Sequence, residues 1–485
     1  MLSLSGVQPQ VRAAAWEAAR REERGFQWDR AWLGLIILER FVTRLFSDKW
    51  TYSLIPQWTN FLDYPILALF AFYVMLRVRD RYRQGERRHS GFGRWIALLL
   101  VAIGIATLAN TGRLHPGAYT LFIVGLLEPL AFMLLAFTLD PRREVLGWLL
   151  KLLYLVGWLQ ILVVMTIDLP LFVATRNPDY ISGTFGTNAY QMTWYLLTWN
   201  VLLLSSRVAP GHRLIRGVGL GLLQVLIVTI ILLAQFRALL PFALVTWTLT
   251  YFVVEQRPAR SVFIALLGTT AFVALFMVIA LTIPELKWND LLELGSRSDE
   301  VVSSGKVQSV VNFGRLLYEQ PQVLFVGTGP GTYASRGFQT FSSAGAKTFA
   351  NKMYLQLFGG GYYETDVAAK YVMPLVYLTS FGSGTAAVPW YSYLAIPAEL
   401  GVAGLLAVLA MYGRALRLTW RLARGQDDLA VTARWLFIAI ILLLQMASLE
   451  NWLETSRATV PVWTILGVVL AQSLRHGKPV ADPTA

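Results

Sequence analysis

Two arginines and a glycine-rich stretch in this chain have the chemistry to hold an anion. Arg237 stands in Leu232-Leu233-Ala234-Gln235-Phe236-Arg237-Ala238, at the end of an apolar run. A guanidinium in or beside a membrane costs several kcal/mol unless an anion or a watery cavity receives it. Its planar fork of donors suits a diphosphate better than a lysine would; snorkelling to the interface is the plainer reading of the same spacing. Arg315 stands in Gly314-Arg315-Leu316-Leu317-Tyr318. The periodicity predicts a helix over Gln308–Gln320 with Val310, Phe313, Leu316 and Leu317 as its apolar face. Downstream follows Gly327-Thr328-Gly329-Pro330-Gly331, with backbone freedom and free N–H groups that can cradle an anion. A plain turn is the simpler account of these glycines. No Lys-Ser/Thr pair follows, so this is not a nucleotide P-loop.

The acids are fewer. Glu399 lies in Ala398-Glu399-Leu400-Gly401 within the apolar run Tyr393–Gly413, Glu128 precedes Pro129 inside another, and Glu39 adjoins Arg40. Ionisable residues inside a membrane are functional candidates by default, although Glu39 and Arg40 can simply pair with neighbouring helices. Glu364, Asp366 and Lys370 read as solvated charges. His89, His212 and His476 fall on one side of the chain's arginine pattern, and only His115, beside Arg113, on the other. No His/Asp/Glu cluster has metal-ligand spacing and no Gly-x-Ser-x-Gly element occurs, so neither a metal nor another cofactor is expected. In Ser182–Tyr190, Gly183 and Gly186 flank Thr184-Phe185 and are followed by Asn188. That order predicts a bent loop with an N-cap onto a helix.

The elements that must position these residues are membrane helices. The chain has 485 residues, 55% hydrophobic and 15% charged, with mean hydropathy +0.51. A soluble domain of that length needs far more surface charge, so the fold class is an all-α polytopic membrane protein. With no cysteine, disulfides, thiolate metal sites and a cysteine nucleophile are excluded. Apolar stretches of bilayer-crossing length centre on Leu35, Leu67, Ala102, Leu126, Val156, Leu197, Ile227, Leu244, Leu267, Leu405, Ile440 and Ile465. That makes about twelve spans. With this count, Arg77–Arg94, Arg142 and Arg143, Arg207–Arg216, Arg257 and Arg260, and Arg414–Arg434 all fall on one side, the cytoplasmic one. The net charge of +13 follows from this bias, not from a nucleic-acid partner.

The expected organisation has five parts. Residues 1–28 form a cytoplasmic amphipathic segment, in which Val11–Arg24 lacks the apolar core of a signal peptide and suits anionic lipid. Residues 29–283 hold spans one to nine, and 284–391 a large extracytoplasmic loop with short helices. Residues 392–474 hold spans ten to twelve, and 475–485 a cytoplasmic tail.

In their order, these features resemble the O-antigen polymerase and O-antigen ligase superfamily of integral membrane glycosyltransferases. Gly183-Thr184-Phe185-Gly186-Thr187-Asn188 resembles that family's entry to a middle helix, and Phe236-Arg237-Ala238 its arginine at a helix start. Gly314-Arg315 followed by Val326–Gly331 resembles its loop arginine and glycine repeat. Tyr393-Leu394 with Glu399-Leu400-Gly401-Val402-Ala403-Gly404 resembles the helix that leaves the loop. The resemblance implies that a hydroxyl of an acceptor glycan attacks the anomeric carbon of a glycan carried on a polyprenyl diphosphate. Arg237 and Arg315 then stabilise the leaving diphosphate, which removes the need for a metal. Glu399 is the carboxylate of first choice, Tyr391 a hydrogen-bonding alternative and His115 a third. Gly327, Gly329, Gly331, Asn188 and Tyr393 are implied as substrate-binding.

Ligases of the family carry a histidine just before the Tyr-Leu pair. Here that place falls near Trp390, and the long loop holds no histidine. This favours a polymerase at the outer face of a bacterial cytoplasmic membrane, with a chain-length regulator and a flippase as implied partners, and leaves the general base unassigned. The alternatives are a ligase that moves glycan to lipid A core or protein, and a transporter of lipid-linked sugars. A transporter would show internal repeats and charges along a central path; Glu39 and Glu128 are placed for that.

Overall fold

The structure, a computed structural model, describes residues 27–43, 45, 62–83, 90–175, 177–186, 188–208, 218–234, 240–255, 258–282, 305–343, 355–358, 362–378 and 389–475. Arg237, most of residues 1–28, the tail 476–485 and parts of the long loop lie outside these. The described residues are helical and contain no strand. Each of the twelve apolar centres falls on a helix. In order these are α1 (27–43), α2 (Asp63–Arg83), α3 (Gly93–Ala109), α4 (Pro116–Leu139) and α5 (Glu144–Val163). A π-helical turn, Val164–Asp168, joins α5 to α6 (Leu169–Thr175). Then come α7 (Ala189–Val208), α8 (Val218–Leu233), α9 (Leu240–Val254) and α10 (Pro258–Thr282).

The loop contributes the short helices α11 (Gly305–Glu319), α12 (Val323–Val326), α13 (Arg336–Phe341), α14 (Asp366–Tyr371) and α15 (Met373–Leu378). The chain ends with α16 (Ser392–Leu422), α17 (Asp428–Met446) and α18 (Ser456–Arg475). Five segments are long and apolar enough to cross a bilayer: Pro116–Leu139, Glu144–Thr175, Ser392–Leu422, Asp428–Met446 and Ser456–Arg475. The protein is a helical membrane protein.

Glycines set how closely these helices approach. A side-chain carbon at Gly467 of α18 would lie 2.3 Å from the Met133 carbonyl oxygen of α4. At Gly157 of α5 it would enter the Trp199 indole of α7, 2.1 Å from its nearest atom. Without a hydrophobic drive between helices in lipid, such close backbone approach is what packs a bundle.

The bundle has two unlike ends. At one, Arg475 pairs with Asp140 at 2.6 Å and Arg143 with Asp427 at 2.7 Å. There the buried Arg434 also donates to the carbonyls of Ala423 at 2.9 Å and Gly425 at 2.6 Å. The other end is covered by the loop. Its helices build a small core from Leu316, Tyr333, Phe338, Tyr371 and Val376, closed by Trp390, Tyr391 and Leu394 at the head of α16. The expected loop helix over Gln308–Gln320 is present as α11, but Val310 is not on its buried face. Leu316 is fully buried, Phe313 and Leu317 partly, while Val310 is 56% exposed. Periodicity groups these residues on one side of the helix; which arc of that side meets protein is set by the partner.

Replacing Gly467 by valine drives a branched side chain into the α4 backbone. It should destabilise the protein by roughly 1–3 kcal/mol, read as a lower melting temperature of the detergent-solubilised protein.

Candidate active site

The centre of the loop-covered end is a break in α16. Gly401 has φ 71° and ψ −176° inside an otherwise helical run, so the carbonyls of Ala398 and Glu399 lose their helical partners. The glycine repeat fills that gap. Thr328 N–H donates to the Ala398 carbonyl at 2.8 Å and Gly329 N–H to that of Glu399 at 3.2 Å. Gly327 and Gly331 have φ of 67° and 77°. Their missing side chains leave room for the Glu399 carbonyl, 2.2 Å from where a carbon would sit, and for the Ala118 backbone at 2.5 Å.

The expectation that these N–H groups face an anion meets a specific answer. The anion is the protein's own Glu399. Its carboxylate, fully buried, accepts from the N–H of Gly331 at 2.5 Å, Tyr333 at 2.9 Å, Ala334 at 3.0 Å and Ser335 at 2.9 Å. The next N–H, of Arg336, goes to Glu454 at 2.8 Å. Residues 331–336 therefore wind around two carboxylates. Asn451 ties the same segment to the α17–α18 connection by donating to the Ala334 carbonyl at 3.0 Å, and Thr365 donates to the Thr332 carbonyl at 2.7 Å. Three buried polar atoms of this region, Tyr333 Oη, Asn451 Oδ1 and Glu454 Oε1, have no hydrogen-bond partner among the described residues. Burial, then the nearby Glu399 charge, pushes the Glu454 carboxyl well above the usual carboxylate range.

Beside this knot lies a second group, which the sequence reading missed. Lys306, at the first turn of α11, donates to the Leu449 carbonyl and stands 5.2 Å from the centre of the Tyr391 ring. Burial lowers its pKa to about 8, with Glu450 pulling the other way. Glu450 is raised by burial to about 7, against the attraction of Lys306 and Arg336. An acid and an amine thus titrate near neutrality within electrostatic reach of each other. Perturbed pairs of this kind cluster at functional sites. Glu450 is also within electrostatic reach of Tyr190, at the first turn of α7. The Leu449-Glu450-Asn451-Trp452-Leu453-Glu454 turn between the last two spans held a readable signal: two acids in one short connection between apolar helices. Lys306 had none.

The other expected residues divide. Tyr391 joins the second group; burial raises its pKa and a hydrogen bond with Ser309 opposes this. Tyr393 donates to the Leu444 carbonyl at 2.8 Å, fastening α16 to α17. Asn188 caps α7 as expected, its Oδ1 accepting from Gln191 N–H at 3.0 Å. The bend before it is held by the buried Asp168 of the π-turn, which accepts from Ser182 N–H at 2.9 Å and Gly183 N–H at 2.7 Å.

Arg315 lies apart from the knot, on the open face of α11, paired with Glu319 at 2.8 Å. Lys370, Tyr371 and Arg315 together hold the Glu319 carboxyl down at about 2. His115 caps α4 by accepting from Ala118 N–H at 3.3 Å and packs 4.7 Å from the Phe341 ring; burial lowers its pKa. Trp390 is buried 5.8 Å from the Phe338 ring. Arg237 falls between the end of α8 and the start of α9. Thr246 of α9 meets Gln445 of α17 at 2.9 Å, which puts the start of α9 at the loop-covered end.

Deeper in the bundle the lone acids meet one arginine. Arg40 pairs with Glu39 at 3.1 Å, with Asp63 at 3.1 Å and with Glu128, and reaches Ser456 at 3.1 Å. Pairing between helices accounts for all of these charges. No protein-family model matches this chain, and no curated protein matches it either.

Glu399→Gln turns an amide nitrogen toward one or more of the four backbone donors. The segment around residues 328–336 should loosen by about 1–3 kcal/mol, seen as faster hydrogen exchange and earlier proteolytic cutting there than in α17 or α18.

Proposed function

We propose that this protein is a polymerase of lipid-linked oligosaccharide repeat units, working at the outer face of a bacterial cytoplasmic membrane with about twelve spans. The observation that carries the reading is the Lys306–Glu450 pair with Tyr391 and Arg336, at the loop-covered end of a helical membrane protein. It supplies the general base that the sequence left unassigned. Glu399 is tied by four backbone donors, so it positions the loop and Glu450 takes the proton.

The acceptor hydroxyl gives its proton to the Glu450 carboxylate as its oxygen forms a bond to the anomeric carbon of the donor glycan. The bond from that carbon to the diphosphate oxygen breaks, and the polyprenyl diphosphate leaves with the electron pair. Arg237, Arg315 and Arg336 are suited to stabilising that charge. An electrophilic, oxocarbenium-like centre asks little of the base, which fits a carboxylate titrating near neutrality. Asn451 Oδ1 and Glu454 Oε1, without a hydrogen-bond partner among the described residues, are polar groups suited to sugar hydroxyls. Of the two glycan-transfer readings, the loop without histidine supports polymerase over ligase.

One observation favours a second reading, an ion-coupled transporter of the same lipid-linked sugars. Three carboxylates share a single buried arginine in the bundle. Counterflow of labelled lipid-linked sugar in proteoliposomes, lost in Glu128→Gln while no glycan is lengthened, would establish that reading in place of ours.

The direct test incubates purified protein with its lipid-linked repeat unit and resolves the products by length. Wild type should give a ladder, and Arg237→Ala and Arg315→Ala should each lower the rate by about two to three orders of magnitude. A wild type that lengthens nothing from a verified substrate would sink the proposal.

The pH profile has a worked sign. Glu450 acts as base only when ionised, so the rate rises as pH passes about 7. Lys306 keeps its charge only below about 8, so the rate falls above that. Glu450→Gln should remove the rising limb and cost about 100- to 10,000-fold in rate.

A further inference from the structure

The loop carries an apolar surface that its own fold leaves open. On α11, Val307, Val310, Val311 and Tyr318 share one face with Gly314, at helical spacing, and all are exposed, Tyr318 to 89%. The opposite face, with Ser309 and Leu316, is buried against the loop core. Immediately after α11, Phe325 of α12 is 67% exposed and Leu324 41%. Charged groups border this face and do not interrupt it: Arg315 with its partner Glu319 on one flank, Lys306 at the start.

The position of this surface says what covers it. α11 starts at the exit of α17, where Lys306 meets the Leu449 carbonyl. At the other end α12 packs on α16 and α3. A side-chain carbon at Gly401 would lie 2.5 Å from the Phe325 carbonyl oxygen. Asn110, the C-cap of α3, donates to the Gly327 carbonyl at 3.3 Å. Two residues before Asn110 stands Leu108, 78% exposed, followed down the same helix by Ile105 and Val101. Those residues form the exposed face of a 17-residue apolar helix, the kind of face that lipid covers in a membrane protein. The open face of α12 therefore continues that lipid-facing surface over the rim of the bundle, and α11, about 22 Å long at 1.5 Å per residue, carries it across the end.

We propose that α11 and α12 form an interfacial element. Their valine, tyrosine and phenylalanine face is sunk at the boundary of headgroups and acyl chains in the leaflet on the loop side. The occupant is phospholipid. An amphipathic helix with a broad apolar face takes this position, and the Arg315 stem runs along apolar surface with its guanidinium at phosphate depth. The consequence is functional: the exposed arginine of the loop lies at the level where lipid-borne phosphates lie. The inference rests on the protein being a membrane protein and not on the polymerase reading, so either can fail alone.

The chain has no cysteine, so single cysteines can be introduced and spin-labelled without background. Full-length protein in lipid nanodiscs would be labelled at Val310→Cys and Phe325→Cys. Leu108→Cys serves as a lipid-facing reference and Lys370→Cys as a water-facing one. The measured quantity is the ratio of collision rates with oxygen and with a water-soluble nickel chelate. Positions 310 and 325 should match 108 and exceed 370 several-fold. A ratio equal to that at 370 would place the face in water and overturn the proposal. Poor access to both reagents would overturn it in favour of a second protein or a second copy of this chain.

Discussion

A buried carboxylate at a broken helix governs this end of the molecule. Glu399 sits about two turns inside α16, fully removed from solvent, two residues before Gly401 with its positive φ. Burying an ionised carboxylate is prohibitive unless donors surround it. The chain meets this demand with four backbone N–H groups from residues 331–335. Those groups can converge only because Gly327, Gly329 and Gly331 adopt positive φ and let three backbones lie in contact. This set of bonds fixes residues 327–336 against the bundle.

The same principle separates the two buried acidic centres. Around Glu399 the compensation is neutral, from amide dipoles, and the result is a rigid knot of backbone. Around Glu39, Asp63 and Glu128 it is a single guanidinium serving three carboxylates, an arrangement that ties α1, α2 and α4 together. Glu450 is compensated in a third way, by an amine. Glu450 faces a lysine across a half-buried boundary and titrates near neutrality. Chemistry is better served at the edge of such a structure than at its most fully compensated points.

Loop and bundle are also mechanically continuous. Ser392 N–H donates to the carbonyls of Ala447 and Glu450 at 3.1 and 3.2 Å, and its hydroxyl accepts from Leu453 N–H at 3.1 Å. The start of α16 is thereby stapled to the turn that carries Glu450 and Glu454. Residues 331–336 are tied to that same turn through the Arg336 N–H on Glu454 and through Asn451 on the Ala334 carbonyl.

Much of this was legible in the order of residues alone. Each of the twelve centres that hydropathy gave lies on a helix, because a run of apolar residues long enough to cross a bilayer has few alternatives to helix; the short helices of the loop lay outside its reach. Gly183, Gly186 and Asn188 announced a bend and a cap, since those conformations and that side-chain acceptor are local requirements. The glycine repeat allowed either a plain turn or an anion cradle, and did not say which anion. Glu399 lies 68 residues from Gly331, and no local pattern records a pairing at that distance. Periodicity likewise put Val310 on an apolar face of α11 without telling protein from lipid, because both select the same side chains. Lys306 and Glu450 became a pair only when α11 was laid against the exit of α17. Burial and the distance between charges set their titration, and both are properties of the fold.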